Sequence, residues 1–297
     1  MTASGPEVSV VLVTDSLDAV AAALHCYRAE RLQMVIAAVN GASISTSAIH
    51  ALGFDQVIVI DGGDGRLDVA EARAARAATA PWVLFAQAHA FPRPGAVDVL
   101  MEACRSGSWT VVGPSIGNAN PETAISRAAM RIKHGRWANG QPGGLRADVP
   151  GHNSAYRREA LLALGDDLDA SLEAGWQLQH ELLARGGQCY FEAAALVDVV
   201  NPDRVGPFVR DLWRLGRQFG HQRRRRWFPL RRLVYAAGAP AIPAVRLVRL
   251  VADAVRCGDT TIWRQLPVVS LGLIASAVGE AVGYLIGPPS RVRFVPR

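Results

Sequence analysis

The chain has 297 residues, of which 50% are apolar, and its formal net charge is +6. This length and apolar content are sufficient for one large folded domain with an appendix, and they exclude an intrinsically disordered chain. The positive charge is local: ten arginines and one acid lie between residues 204 and 232, a net charge of +9 that leaves the rest of the chain mildly acidic.

Apolar strands alternate with helices through the first 113 residues. Predicted strands cover residues 8–14, 34–39, 57–60, 82–85 and 109–113, and predicted helices cover 19–30, 67–79 and 95–105. Such alternation indicates parallel strands joined by crossover helices, so we expect an α/β fold with a mainly parallel, twisted sheet. Pro92 and Pro94 are expected to end sheet pairing after the fourth strand.

Glycines at 62, 63 and 65 follow the third predicted strand. They do not have the G-x-G-x-x-G spacing of a dinucleotide-binding fold, and the turn after the first strand has no glycine. A nicotinamide- or flavin-dinucleotide enzyme is therefore disfavoured.

The middle of the chain begins with a polar connection over residues 114–150. Helices are predicted over 160–164 and 171–185, and closing strands over 188–191 and 196–200. We place the end of this α/β domain at residue 203. The region 204–297 is predicted to be helical, with Pro240 and Pro243 as breaks.

The segment 266–287 has 22 residues and a single charged side chain, Glu280. That length suits a bilayer core of about 30 Å, although the segment can equally re-enter the membrane or lie on it. Ala275, Gly279, Gly283 and Gly287 recur every four residues, a pattern that lets helices pack closely. We therefore expect a partner helix in the membrane or a homo-oligomer.

The arginine-rich segment permits three interpretations: a nucleic-acid patch, a solvated helix face, or attraction to anionic lipid headgroups. No nucleic-acid motif accompanies the arginines, which disfavours the first. Because long apolar segments follow, we favour an anionic membrane surface and expect no nucleic-acid partner. The chain opens without a basic leader and apolar core, so we expect the cytoplasmic face of the membrane.

Four stretches together resemble family 2 glycosyltransferases, which are inverting enzymes of the GT-A fold. These stretches are the first strand opening on Asp15, residues 70–74, residues 82–94, and Gly151-His152-Asn153 followed by residues 156–159. The resemblance covers residues 8–201. It implies a nucleotide-sugar donor and, as acceptor, a lipid-linked sugar or a polysaccharide.

The resemblance also implies roles for individual residues. It places Asp15, Asn40, Arg73, Gln87 and His89 on the donor side. It places His152, Asn153 and Trp176 on the acceptor side, and Glu173 as the general base.

The family's metal-binding Asp-x-Asp motif corresponds here to Gln87-Ala88-His89. Mn²⁺ and Mg²⁺ prefer carboxylate oxygens, whereas this triplet offers one imidazole and a neutral amide. We therefore expect any Mn²⁺ or Mg²⁺ at His89 to bind weakly, with arginines and helix N–H groups facing the phosphates instead.

Simpler structural interpretations accompany these roles. Asp15 suits a helix N-cap, Glu173 a first-turn acid of a helix, and Arg73 an exposed helix position. His89 suits a polar strand end, and Trp176 a core position. A catalytically silent GT-A domain that acts as a binding or scaffolding subunit of a glycan-assembly complex is the alternative function.

Overall fold

The computed structural model describes residues 5–173, 175–224, 227–256 and 258–286. It is a mixed α/β structure with a nine-stranded sheet, followed by a set of C-terminal helices. The predicted fold class is therefore confirmed.

The strands of the sheet are β1 (Val8–Thr14), β2 (Leu32–Val39), β3 (Gln56–Gly63), β4 (Trp82–Phe85), β5 (Ala90–Pro92), β6 (Val111–Asn118), β7 (Gly144–Arg146), β8 (Ala155–Arg157) and β9 (Cys189–Val199). The helices are α1 (Leu17–Leu24), α2 (Thr46–Ala51), α3 (Leu67–Ala77), α4 (Ala96–Arg105), α5 (Ala124–His134), α6 (Arg158–Leu162), α7 (Asp167–Leu172), α8 (Gly175–Ala184), α9 (Val205–Arg224), α10 (Pro229–Gly238), α11 (Ile242–Arg256) and α12 (Ile262–Ile286).

The sheet has the strand order β3-β2-β1-β4-β8-β6-β9-β5, and β7 also pairs with β9. β1 to β4 pair in parallel, with Thr14 opposite Ala38 and Val11 opposite Phe85. The β4–β8, β6–β8, β5–β9 and β7–β9 pairs are antiparallel. The first four strands thus pair in parallel, and their carboxyl ends share one edge.

Two predictions about the later strands are wrong. Pro92 does not end the pairing, because β5 contains it and places it opposite Val197 of β9. β5 ends the strand order, where the missing N–H of a proline is tolerated. The two predicted closing strands are one continuous strand, β9, because its buried positions continue through Ala195.

Two apolar layers cover the faces of the sheet. One layer includes Tyr27 of the α1–β2 connection and Leu84, and the other includes Phe85 and the alanines of α3. Adjacent residues of β4 contribute to opposite layers because successive side chains of a strand point to opposite faces. The strands that carry the predicted donor site are therefore buried on both sides.

The described residues form two compact units. One contains the chain up to Gly117 and Trp137–Val199, and the other contains Asn118–Arg136 and the residues from Val200 onward. The second unit is helical and includes α5, a helix within the stretch that the sequence predicted to be a polar connection. Ala128 and Ala129 of α5 pack with Phe208 and Val269 in its core.

α9 and α12 form the main packing contact of the helical unit. A Cβ atom added at Gly279 would lie 2.0 Å from the Trp213 carbonyl oxygen, and one at Gly216 would lie 1.9 Å from that of Ser276. Only glycine allows backbones to approach this closely. Gly279 and Gly283 of the predicted stripe therefore pack against α9 of the same chain, and Gly287 lies outside the described residues.

Within the described residues, two segments are long and apolar enough to cross a membrane: Leu230–Arg256 with a mean hydropathy of 1.3 and Ile262–Ile286 with a mean hydropathy of 1.7. The first is almost entirely exposed, whereas more than half of the second is buried within the protein. Length and composition alone do not distinguish a membrane span from the core helix of a helical unit.

Candidate functional site

The ends of β2 and β3 are joined by Asn40, which has a left-handed conformation with φ of 57°. Its backbone N–H donates to the Gly63 carbonyl at 3.0 Å. A Cβ atom at Gly65 would lie 2.4 Å from Oδ1 of Asn40, so that position requires glycine. Gly65 thus allows the Asn40 side chain to lie directly over this turn.

Asp15 follows β1 at the same edge of the sheet and is half-buried. The interpretation of Asp15 as an N-cap is wrong, because α1 begins at Leu17 and its N-cap position is Ser16. Within the described residues, no hydrogen bond involves the Asp15 side chain. Its carboxylate is therefore available to a ligand at the strand ends.

Arg73 is exposed on α3, as its simpler interpretation predicted. Its Nη1 donates to the carbonyl oxygen of Asp61 at 3.3 Å and lies beside Gly63. The guanidinium therefore lies at the end of β3, close to the turn that contains Asn40.

Gln87, Ala88 and His89 form the turn between β4 and β5, in which the Ala90 N–H donates to the Gln87 carbonyl at 3.2 Å. All three are half-buried. The triplet begins two residues after β4 ends, so it lies at the carboxyl edge that also carries Asp15 and Asn40.

Asn153 is held beside this triplet by two hydrogen bonds, one of them to a tyrosine that contacts the triplet. Its N–H donates to the Phe85 carbonyl at 2.7 Å, and its Oδ1 accepts a hydrogen bond from the Tyr27 hydroxyl. The Tyr27 hydroxyl also contacts the backbone of Gln87. Asn153 has a φ of 60°, which asparagine tolerates better than most residues. The loop carrying His152 and Asn153 is thereby fixed to the end of β4.

His152 faces a buried acid. Its Nδ1 lies 3.6 Å from Oε1 of Glu71, whose side chain is 5% exposed. Burial raises the pKa of Glu71 to about 8, with a further contribution from the Asp68 carboxylate. Burial also lowers the pKa of His152 to about 4. Both groups therefore favour their neutral forms near pH 7.

Glu173 is the C-cap residue of α7 rather than a first-turn acid, so its simpler interpretation is wrong. It interacts electrostatically with Arg66, which forms an ion pair with Asp68 at the start of α3. The hydrogen bonds that Arg66 donates to Asp68 raise the pKa of Arg66, and the Glu173 carboxylate adds to this effect. A chain of ionisable side chains thus extends from Glu173 through Arg66 and Asp68 to Glu71.

Trp176 belongs to α8, but its side chain lies outside the described part of the structure. Both its acceptor-side role and its core interpretation stay predictions.

Sequence reasoning missed Glu71, Tyr27 and Arg66 as members of this site. One signal was present for Glu71: it shares a helix stripe with Ala74, Ala75 and Ala78, all of which are buried. A carboxylate on an apolar stripe is unusual enough to indicate a special environment. Tyr27 and Arg66 carried no comparable signal.

The residues at the triplet do not fit a tightly bound Mn²⁺ or Mg²⁺. Gln87 supplies a neutral carbonyl and His89 one imidazole, and among the described residues no group of three His, Cys, Asp or Glu side chains is arranged to hold a metal ion. Hard divalent cations require more oxygen ligands than this. We therefore derive no chemical step through a metal.

No protein-family profile matches the chain, and no curated protein matches it in sequence. In contrast, 169 chains of solved structures match. One is the crystal structure of GalNAc-T7 with UDP, GalNAc and Mn²⁺, which is 12% identical with a TM-score of 0.47. The match covers 67% of this chain and 44% of that chain, so it spans less than half of GalNAc-T7.

Proposed function

We propose that this protein is a membrane-associated, family 2-like glycosyltransferase. It would transfer a sugar, with inversion, from a nucleotide-sugar donor to a lipid-linked or polysaccharide acceptor. One observation carries the proposal: polar side chains that follow three of the parallel strands (β1, β2 and β4), together with side chains of α3 and two later loops, gather at one edge of the sheet. That edge is where open α/β sheets bind their ligands.

The donor would lie across the ends of β1 to β4. Asp15 and Asn40 supply a carboxylate and an amide, which suit the polar groups of a nucleoside. The two residues lie at the same edge because they follow the paired strands β1 and β2. Arg73 supplies a guanidinium for a phosphate. Gln87 and His89, which follow β4, would face the diphosphate end of the donor.

Glu173 is the proposed general base. Arg66 lies within electrostatic reach of the Glu173 carboxylate. As the acceptor oxygen bonds to the sugar carbon, the acceptor proton would pass to Glu173, and the electrons of the breaking bond would go to the diphosphate. His152 and Asn153 would lie between the two substrates.

Association with an anionic membrane surface is supported by the helical unit. Leu230, Leu233 and Val234 of α10 and Val245 and Val248 of α11 are all exposed. Exposed arginines lie on the same helices: Arg231, Arg249 and Arg256. Exposed apolar side chains next to cations suit a lipid surface, to which each cation contributes about 1 kcal/mol. We assign this contact to the cytoplasmic face.

Vesicle sedimentation tests the membrane contact. A Leu230→Glu/Val248→Glu variant should lose at least tenfold in partitioning to vesicles rich in phosphatidylglycerol, because burying each side chain in lipid is worth about 1.5–3 kcal/mol. Leu145→Glu is the matched control, since Leu145 is 62% exposed on β7 in the other unit. Equal partitioning of the wild type to neutral vesicles would contradict the electrostatic part of the proposal.

Calorimetric titration with UDP- and GDP-sugars, combined with detection of released nucleoside diphosphate, tests the transfer reaction. Glu173→Gln should abolish turnover and leave donor binding intact, whereas Glu102→Gln, at an exposed position of α4, should change neither. The triplet contains no carboxylate, which favours the catalytically silent alternative. Tight donor binding without turnover on any donor would establish that alternative.

A further inference from the structure

Glu71 is buried whereas His152 is partly exposed, and this difference within the pair suggests a function. Nδ1 of His152 is buried and has no hydrogen-bond partner among the described residues, and the nearest acid, Glu71, lies 3.6 Å away. The histidine side chain as a whole is 31% exposed. One nitrogen therefore faces a buried acid while part of the ring reaches solvent.

The groups around the pair determine where its protons reside. Asp68 lies one turn earlier on α3 and acts electrostatically on Glu71, and Arg66 neutralises Asp68 through an ion pair. Tyr156 of β8 also faces Glu71, and its hydroxyl donates to the Gly151 carbonyl at 2.8 Å. Burial raises the pKa of the Glu71 carboxyl and Asp68 adds to this effect, with no cation among these groups to oppose it, so the protonated form of Glu71 is favoured.

The proton between Glu71 and Nδ1 of His152 determines that the other ring nitrogen, Nε2, carries a proton of its own. If Glu71 is protonated and donates to Nδ1, the imidazole must carry its own proton on Nε2. If the proton moves to Nδ1, the imidazolium again carries a proton on Nε2. Closing the 3.6 Å gap gives the buried Nδ1 its missing partner, which favours this hydrogen bond already in the free protein. In both arrangements His152 presents an N–H donor toward solvent.

The pair lies close to the triplet that lacks carboxylates. Asn153, the next residue, is bonded to Phe85 at the end of β4 and to Tyr27, which contacts Gln87. The two contacts fix the loop, so the imidazole cannot move far from this edge of the sheet.

We propose that Glu71 positions His152 to donate an Nε2–H hydrogen bond to the diphosphate of the donor, where a carboxylate-bound metal would otherwise meet that charge. When the diphosphate binds, one proton moves from the Glu71 carboxyl oxygen to Nδ1, which leaves a carboxylate beneath an imidazolium without a net change of charge or electrons. The proposal rests on the proposed function, because it assumes a nucleoside-diphosphate ligand. Glu71 is a positioning residue, and His152 is the residue that touches the ligand.

The free protein tests the pair without any nucleotide. In ¹⁵N-histidine NMR spectra of the full chain at pH 7, His152 should appear as the neutral Nε2–H tautomer with a hydrogen-bonded Nδ1. Glu71→Gln should shift the Nδ1 resonance, because an amide is a weaker donor than a carboxylic acid. An Nδ1–H tautomer in the wild type, or identical spectra for the two proteins, would overturn the pairing.

Ligand binding tests the phosphate contact. Inorganic pyrophosphate, UDP and GDP are titrated in the presence of EDTA, with uridine and guanosine as ligands that lack phosphate. His152→Gln should weaken diphosphate binding at least tenfold and leave nucleoside binding unchanged, and the exposed His180→Gln should change neither. In the wild type, diphosphate should convert His152 to the imidazolium spectrum, whereas in Glu71→Gln it should not.

The outcomes separate this proposal from the proposed function. Unchanged diphosphate affinity in His152→Gln would overturn the phosphate contact while leaving a nucleotide-sugar enzyme intact. A wild type that binds no nucleoside diphosphate would overturn both. Diphosphate binding that requires Mn²⁺ and is indifferent to His152→Gln would show that a metal fills the role assigned here to the imidazole.

Discussion

The Tyr27 hydroxyl donates a hydrogen bond to Oδ1 of Asn153, across 126 residues of sequence. Both side chains are buried, and the bond joins the α1–β2 connection to the loop that follows the polar connection. This loop carries His152, so the contact fixes the position of a proposed ligand-binding residue.

Tyr27→Phe removes this hydrogen bond and leaves Oδ1 of Asn153 buried without its partner. We expect a loss of about 1–3 kcal/mol in the free energy of unfolding. Urea denaturation followed by intrinsic fluorescence measures it. Tyr190→Phe is the control, because Tyr190 stacks on Trp109 and its hydroxyl makes no hydrogen bond within the described residues. Equal losses in the two variants would contradict a specific role for the Tyr27–Asn153 bond.

Glu71→Gln should change how stability depends on pH. The folded-state pKa of Glu71 is raised from 4.5 to about 8, so the folded protein retains a proton that the unfolded chain releases, and stability falls as pH rises through this range. The pKa of His152 is lowered from 6.5 to about 4, which makes stability rise with pH over that lower range. Up to pH 6.5 the two groups change the stability in opposite directions. Above pH 6.5 only Glu71 still changes it, and the stability falls.

Between pH 6.5 and 8 the wild type should therefore lose roughly 2 kcal/mol of unfolding free energy relative to Glu71→Gln. Denaturant titrations at half-unit pH steps measure the difference. Parallel curves for the two proteins would show that Glu71 ionises normally in the folded state.

Gly279→Val should disrupt the crossing of α9 and α12. The new Cβ would lie 2.0 Å from the Trp213 carbonyl oxygen, so the two backbones must separate and neighbouring core contacts are lost. We expect a loss of roughly 3 kcal/mol or more, the scale of severe overpacking in a core. Gly206→Ala is the control on α9, because no atom lies within 4 Å of its added Cβ. Thermal unfolding by circular dichroism compares them, and similar midpoints would contradict the close crossing.

Arg246→Leu tests the buried acid of α12. Glu280 is 1% exposed, and Arg246 Nη2 lies 3.4 Å from its Oε2. Removing the cation leaves a buried carboxylate with Tyr284 as hydrogen-bond partner and Arg223 at 4.0 Å, and should cost about 3–5 kcal/mol. The double variant Arg246→Leu/Glu280→Leu should recover most of this loss. An unchanged unfolding free energy in the single variant would contradict the pairing.

The sequence predicted the elements whose signals are local. β1 and β4 were predicted with correct bounds because each is a continuous apolar run between polar residues. α5 was missed because its apolar face consists mainly of alanines flanked by Arg127, Arg131 and Lys133. Its partners in α9 and α12 lie far away in sequence, so periodicity over a short window gave little signal.

The candidate site shows the same limit. Asp15, Asn40 and Gln87 were found because each follows a recognisable strand, and parallel strands bring their ends together. The Glu71–His152 pair depends on how α3 rotates against the loop after residue 150, which no local pattern specifies. Two interpretations are wrong, that of Asp15 as an N-cap and that of Glu173 as a first-turn acid. Both depended on where a helix begins, and helix boundaries are the least certain part of a sequence prediction.

The assignment of α5 to the helical unit has a practical consequence for dissecting the protein. A fragment that ends at residue 203 would retain α5 and lose its apolar partners Phe208, Leu212 and Val269. Ala128, Ala129 and Ile132 would then face water, and Arg131 would lose the Asp259 carboxylate. A better truncation removes residues 118–136 together with the residues from Val200 onward and joins residue 117 to residue 137 with a short glycine-rich link. It removes the whole helical unit and leaves no part of it behind.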